Sequence, residues 1–150
     1  TSELLQALLA AGIDPTEVAV ITPYRGQLEQ LRKACLRAGI TLERSGELLE
    51  SDEPTPAAHR GVALGTVHRF QGGERSIVLF SSVVTRAASL GFLDDRANLL
   101  NVAVSRARHR LVALGSAAVL AQGKRTRLLT QAATPIMAHA FRRQLSLLRA

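Results

Sequence analysis

Cysteine is almost missing from these 150 residues: Cys35 stands alone. No intrachain disulfide and no thiolate zinc cluster can form from it, and four scattered histidines supply no ligand spacing. The thiol therefore reads as a buried, apolar-like side chain in a reducing, intracellular (cytoplasmic) compartment. Aromatic residues amount to 3%, which argues against a platform that stacks successive bases. No apolar run approaches the ~20 residues of a membrane-spanning helix, so no membrane partner is expected. Clustered carboxylates suited to a metal-dependent nuclease are lacking, as is a Gly-x-Gly-x-x-Gly turn after the first apolar run, which sets aside a nuclease and a dinucleotide-binding enzyme. What remains is the balance of a globular domain, 47% hydrophobic and 21% charged, at a length that fits one domain.

Acid is missing from the last third. Residues 1–100 carry 10 Lys/Arg against 12 Asp/Glu, while residues 101–150 carry 9 Lys/Arg and no acid. A one-signed block attracts anions, whether nucleic-acid backbone, nucleotide phosphate or an acidic partner face, although such blocks also serve as solvated surface. The chain opens Thr1-Ser2-Glu3 without a Met or a signal-type stretch, so it reads as a segment of a longer protein.

Val18-Ala19-Val20-Ile21 is a β-branched run ended by Thr22-Pro23, and Leu28, Leu31 and Cys35 then recur at helical spacing up to Gly39. Upstream, Leu4, Leu5, Leu8 and Leu9 mark an amphipathic helix that closes near Gly12. Residues 41–60 are acidic, contain Pro54 and Pro56, and are expected to form an exposed loop. Residues 62–66, 77–80 and 111–114 are continuous apolar runs that read as strands covered on both faces. A helix is expected over Asn98–Arg108, a short one through Leu120, and an amphipathic one from about Pro135 to Leu148, with a basic connector Gly123–Arg127 between the last two. Strand-helix alternation predicts a doubly wound parallel α/β sandwich.

Two constellations carry chemistry. Thr66-Val67-His68-Arg69-Phe70-Gln71-Gly72-Gly73-Glu74 leaves a strand through a glycine pair whose amides can approach an anion, with Gln71 able to hold a water or phosphate oxygen and Glu74 able to accept from ribose hydroxyls. A plain tight turn is the competing reading. Leu100–Arg110 places alternating arginines at the end of the expected helix, where a guanidinium can stabilise a transferring phosphoryl group or merely complement the helix dipole.

In this order and about 30 residues apart, the two segments resemble motifs V and VI of superfamily 1 helicases, especially the Upf-like branch. Val20-Ile21-Thr22-Pro23-Tyr24-Arg25-Gly26-Gln27 is similar to that branch's "ITPY-x-x-Q" segment, and Gly91-Phe92-Leu93-Asp94-Asp95-Arg96 to its "GFL" link. The likeness covers roughly residues 13–120. It implies a RecA-like three-layer sandwich with a mostly parallel sheet, the second motor lobe of a helicase that moves on single-stranded DNA or RNA. By the same likeness, Arg106 matches the arginine finger and Gln71 and Gly72 sit near the γ-phosphate. Glu74 reaches the ribose, and Arg108 supports the phosphate or the lobe interface. Thr22, Thr66 and His68 lie on the nucleic-acid side, so one turn would touch both ligands.

The departures define a division of labour. No Gly-x-x-x-x-Gly-Lys-[Ser/Thr] loop occurs, since Gly123-Lys124 is followed by Arg125, and no Asp-Glu pair follows a buried strand. ATP with Mg²⁺ is therefore expected to be bound mainly by an N-terminal RecA-like domain of the same parent chain. Residues 1–122 are expected to form the motor lobe, inactive alone as an ATPase, and residues 123–150 a basic connector and helix that match nothing nameable. The alternative is a non-catalytic nucleic-acid-binding or regulatory module that kept the RecA-like fold. No metal ligand is assigned.

Overall fold

A computed structural model describes residues 1–43, 60–70 and 73–132. The loop expected over 41–60 mostly lies outside them, as do the helix expected from Pro135 and the residues Gln71 and Gly72.

The helices are α1 (Ser2–Ala10), α2 (Arg25–Arg37), α3 (Gly91–Asp94), α4 (Ala97–Ser105), α5 (Ala117–Leu120) and α6 (Arg127–Ala132). The strands are β1 (Val18–Thr22), β2 (Ala63–Thr66), β3 (Arg75–Ser81) and β4 (Ala107–Leu114). The four strands form one sheet in the order β2-β1-β3-β4, and every pairing is parallel. All residues of β1 and β2 are buried, the outcome that continuous apolar runs predict for strands covered on both faces.

Side-chain alternation divides the core into two layers. Val18, Val20, Leu64 and Leu79 point to one face, where they meet Leu4 and Leu5 of α1 and Leu28, Leu31 and Cys35 of α2. Ala19, Ile21, Val78 and Phe80 point to the other and meet Leu93, Leu99, Leu100, Ala103 and Leu120. The result is a helix-sheet-helix sandwich with a four-stranded sheet that is parallel throughout. Burial also raises the Cys35 thiol above its ordinary value, with a smaller opposing pull from the chain's amino terminus. The side chain behaves as packing. Gly39, at φ +69°, takes the left-handed turn that stops α2.

The last strand departs from its sequence reading. The apolar run predicts a start at 111, and the charge pattern predicts a helix to 108. Instead α4 stops at Ser105, Arg106 is its αR cap, and β4 begins at Ala107. The buried stripe Leu99-Leu100-Ala103 ends there, so nothing holds a further helical turn on the sheet. Residues 107–110 bond as the edge strand instead, and Arg108, His109 and Arg110 are exposed, as befits a charged edge. The register runs Arg75↔Ala107 and then Ile77↔Arg110: β4 spends three residues where β3 spends two, a bulge that re-aims side chains at Arg108 and His109.

Residues 123–126 are fastened to α3. The Asp94 carboxylate accepts from the backbone N–H groups of Lys124 (2.8 Å), Arg125 (2.9 Å) and Thr126 (3.0 Å). The Thr126 hydroxyl donates to the Leu120 carbonyl at 2.9 Å. Gly123 is required by close approach, because a Cβ there would lie 2.5 Å from Asp94 Oδ2. Burial pulls the Asp94 carboxyl upward, but the backbone donors of Thr126, Arg125 and Lys124, with the Thr126 side chain, outweigh it and hold the group below its ordinary value. The folded form thus prefers the ionised acid. The clasp contributes fully above about pH 4 and is lost as pH falls through the depressed value. Asp94→Ala is expected to cost about 1–2 kcal/mol near neutral pH, with a shallower acid limb in urea titrations below pH 4 and faster amide exchange at residues 124–126.

Candidate functional site

Because all four strands run the same way, the sheet has one carboxyl edge and one amino edge. Thr22 and Thr66 are paired at the ends of β1 and β2, while Arg75 and Ala107 are paired at the starts of β3 and β4. The seven residues of β3 separate these edges by about 20 Å. The segment Thr66–Glu74 leaves β2 at the carboxyl edge and enters β3 at the amino edge. It therefore passes both sets of residues singled out in the sequence.

At the carboxyl edge, Thr66 caps a 3-10 turn, Val67–Arg69. Val67 is buried and His68 exposed. Thr22 is fully buried, and its hydroxyl accepts from the Tyr24 N–H at 3.4 Å. Thr66 is also buried. Of the three residues expected to touch nucleic acid, only His68 therefore presents an exposed side chain in this conformation; the threonines shape the corner behind it, since a period of two in a two-face-covered sheet leaves strand-end hydroxyls inside. His68 lines a cavity of about 440 Å³ together with Asp95, Arg96, Asn98, Leu99 and Arg125. Its wall is stiffened by a ladder of rings and charge. Tyr24 stacks on Phe92 with centroids 5.0 Å apart, and the Arg96 guanidinium lies 4.4 Å over the Phe92 ring.

At the amino edge, Arg75 is the organiser, and the sequence reading passed over it. Its N–H donates to the Arg106 carbonyl at 2.9 Å. Its guanidinium donates to Glu43 at 2.9 Å and to the Glu74 carbonyl at 3.0 Å. Three chain segments meet on this one residue, through its backbone and its side chain together. The signal available in sequence was only a basic residue at a strand start, and its partner Glu43 lies 32 positions away. Next to it, Arg106 is half-buried, and its Nε, like that of Arg75, is buried without a hydrogen-bond partner among the described residues. An orphaned buried donor on a guanidinium suits an anionic ligand, since leaving such a group unpaired costs free energy. Glu74 and Arg108 pair with each other at 3.2 Å, with side chains 52% and 58% exposed. A pair that open to water is worth about 0–1 kcal/mol, so either partner can turn to a ligand. The structure thus brings Glu74, Arg106 and Arg108 together, with Arg108 on strand β4 and not on the expected helix.

A family profile described as an AAA domain matches residues 1–118. The chain belongs to that family. It is similar to the Regulator of nonsense transcripts 1 homolog of Arabidopsis thaliana, 33% identical over 123 residues, which is 80% of this chain and 8% of that protein. It is 32% identical over 124 residues to the 5'-3' DNA helicase ZGRF1 of Mus musculus, 83% of this chain and 6% of that one. Against the DNA replication ATP-dependent helicase/nuclease DNA2 of Mus musculus the figures are 30% over 118 residues, 78% and 9%. The chain spans less than a tenth of each of these relatives. These matches and the parallel α/β sheet make it a superfamily 1 helicase C-terminal domain of RecA-like fold. No helix among the described residues of this helicase domain is long and apolar enough to cross a membrane, and no group of His, Cys, Asp or Glu among them could hold a metal ion.

In this helicase domain Arg75→Met is expected to cost about 1–3 kcal/mol, because it removes a charge-assisted bond to Glu43 at a partly buried site and the bond to the Glu74 carbonyl. A urea midpoint unchanged from wild type would remove Arg75 from the centre of this edge.

Proposed function

We propose that the chain is the C-terminal motor lobe of an ATP-dependent superfamily 1 DNA/RNA helicase, working inside the cell on single-stranded DNA or RNA. In this reading it supplies an arginine finger and nucleic-acid contacts to a site completed by an N-terminal RecA-like domain. The observation that carries it is the segregation of the motif residues: Arg106, Arg108 and Glu74 on the amino edge, Thr22, Thr66 and His68 at the carboxyl edge, with residues 66–74 running between.

Arg106 is the catalytic residue of this proposal. Its guanidinium meets the negative charge that develops at a transferring γ-phosphoryl group, a contribution on the order of 10³-fold or more in rate. The Arg75 N–H bond to its carbonyl fixes the cap from which the side chain projects. Gln71 and Gly72 would flank that phosphate, Glu74 the ribose, and Arg108 the phosphate or the lobe interface. ATP with Mg²⁺ supplies the phosphoryl group and the metal when bound, mainly by the other lobe; this chain has no phosphate-cradling lysine loop of its own, so the isolated fragment is expected to be inactive as an ATPase. At the other edge His68, with Thr66 and Thr22 behind it, lies on the nucleic-acid side and contacts the strand.

The second reading, a non-catalytic nucleic-acid-binding or regulatory module, has one observation in its favour: Glu74 and Arg108 spend their charges on each other. The grouping of Arg106 with Glu74 at one edge favours the motor, because a pure binder has little need of nucleotide-facing groups. In the full-length protein, Arg106→Ala is expected to lower nucleic-acid-stimulated ATP turnover by about 10³-fold while leaving single-strand binding nearly intact. Undiminished turnover would transfer the conclusion to the binding module. His68→Ala is expected instead to weaken strand binding or its stimulation of turnover, and an effect limited to nucleotide affinity would remove His68 from the nucleic-acid side.

A further inference from the structure

The basic segment beyond the family match is built into the carboxyl-edge cavity. The profile ends at residue 118, yet Arg125 lines the same cavity as His68. The Asp94 clasp puts it there: the carboxylate binds three successive backbone N–H groups, including that of Arg125, and the Asp94 carbonyl accepts from Arg125 Nη1 at 2.9 Å. Asp94 thereby directs its negative charge at amides rather than at guanidinium groups. Arg125 keeps its full charge and its remaining donors.

On the same lining, Arg96 is held by its face on Phe92, which leaves the guanidinium edge free to donate in the plane. Asn98 adds an exposed amide. Among the described residues the one acid on the lining is Asp95, against two arginines, and Lys124 and Arg127, near Arg125 in sequence, are exposed cations. A volume of about 440 Å³ falls within the ~300–1,000 Å³ of ligand sites, room for a sugar-phosphate unit rather than a lone ion. Two guanidinium groups on one lining suit a phosphodiester, whose two free oxygens can each accept charge-assisted hydrogen bonds. With 3% aromatics in the chain, backbone contact fits better than base stacking.

We propose that Arg125 and Arg96 clamp a backbone phosphate of the bound single strand in this cavity, next to His68, so that the connector is part of the nucleic-acid path. Asp94 is its positioning residue. The proposal rests on the helicase reading, because it extends the strand that His68 would touch.

The test measures fluorescence anisotropy of labelled oligo(dT) and oligo(U) on the full-length protein over a range of salt concentrations. Arg125→Ala is expected to weaken binding of both by roughly three- to tenfold and to reduce the slope of log affinity against log salt by about 0.7, one phosphate contact. Arg125→Lys should restore the slope, and Arg96→Gln should reproduce the loss. Weakening of oligo(U) alone would overturn a phosphate contact in favour of a 2′-hydroxyl contact. An unchanged slope in Arg125→Ala, with His68→Ala still weakening binding, overturns the clamp and leaves the helicase reading standing. Failure of the wild-type protein to bind either oligonucleotide overturns both.

Discussion

Every residue of β1 is buried, so its N–H and C=O groups have only β2 and β3 to bond with, and the helices on both faces forbid any other satisfaction of those groups. Pairing on both sides follows, and because that pairing is parallel each chain segment must return to the same edge before the next strand begins. That requirement determines where residues with chemistry can sit. The faces are filled by Leu, Val, Ile and Phe side chains, so polar function is pushed to the two edges and to the connections between them. Arg75, Arg106 and Arg108 cluster where strands start; His68, Arg96 and Arg125 cluster where they end.

The parts of this arrangement legible in the sequence are those under one strong local rule. Val18–Ile21, Val62–Thr66 and Ile77–Phe80 read as strands because burial on both faces demands continuous apolar runs. Leu28, Leu31 and Cys35 read as a helix because their spacing places them on one side. The start of β4 escaped that rule: residues 107–110 are basic and exposed, held by backbone pairing to β3 rather than by apolar content, and a bulge at Arg108 breaks even the alternation. The motif likeness located Glu74, Arg106 and Arg108 as a group, yet not their opposition to Thr22 and Thr66 across the sheet, since direction of travel along a connection is not a property of any one residue.

Long-range polar contacts were the least legible. Asp94 looks like an ordinary acid after an apolar triplet, and its role depends on three amides about 30 positions later. Arg75 and Glu43 belong to segments with no local pattern in common. Thr22 and Thr66 show how burial also escapes a local reading, since both hydroxyl side chains lie buried at strand ends. Each case turns on which distant segment folds back, information that composition and periodicity carry only weakly.

The nine-residue α4 runs from the cavity towards the amino edge, with Asn98 on the cavity lining and Arg106 as its cap beside the start of β3. A helix of that length is a rod of about 13 Å, and its stripe Leu99-Leu100-Ala103 bears on the sheet near the middle. Such a rod neither stretches nor compresses appreciably under side-chain-scale forces, so α4 acts as a ruler: it fixes how far the cap at Arg106 stands from the cavity lining at Asn98.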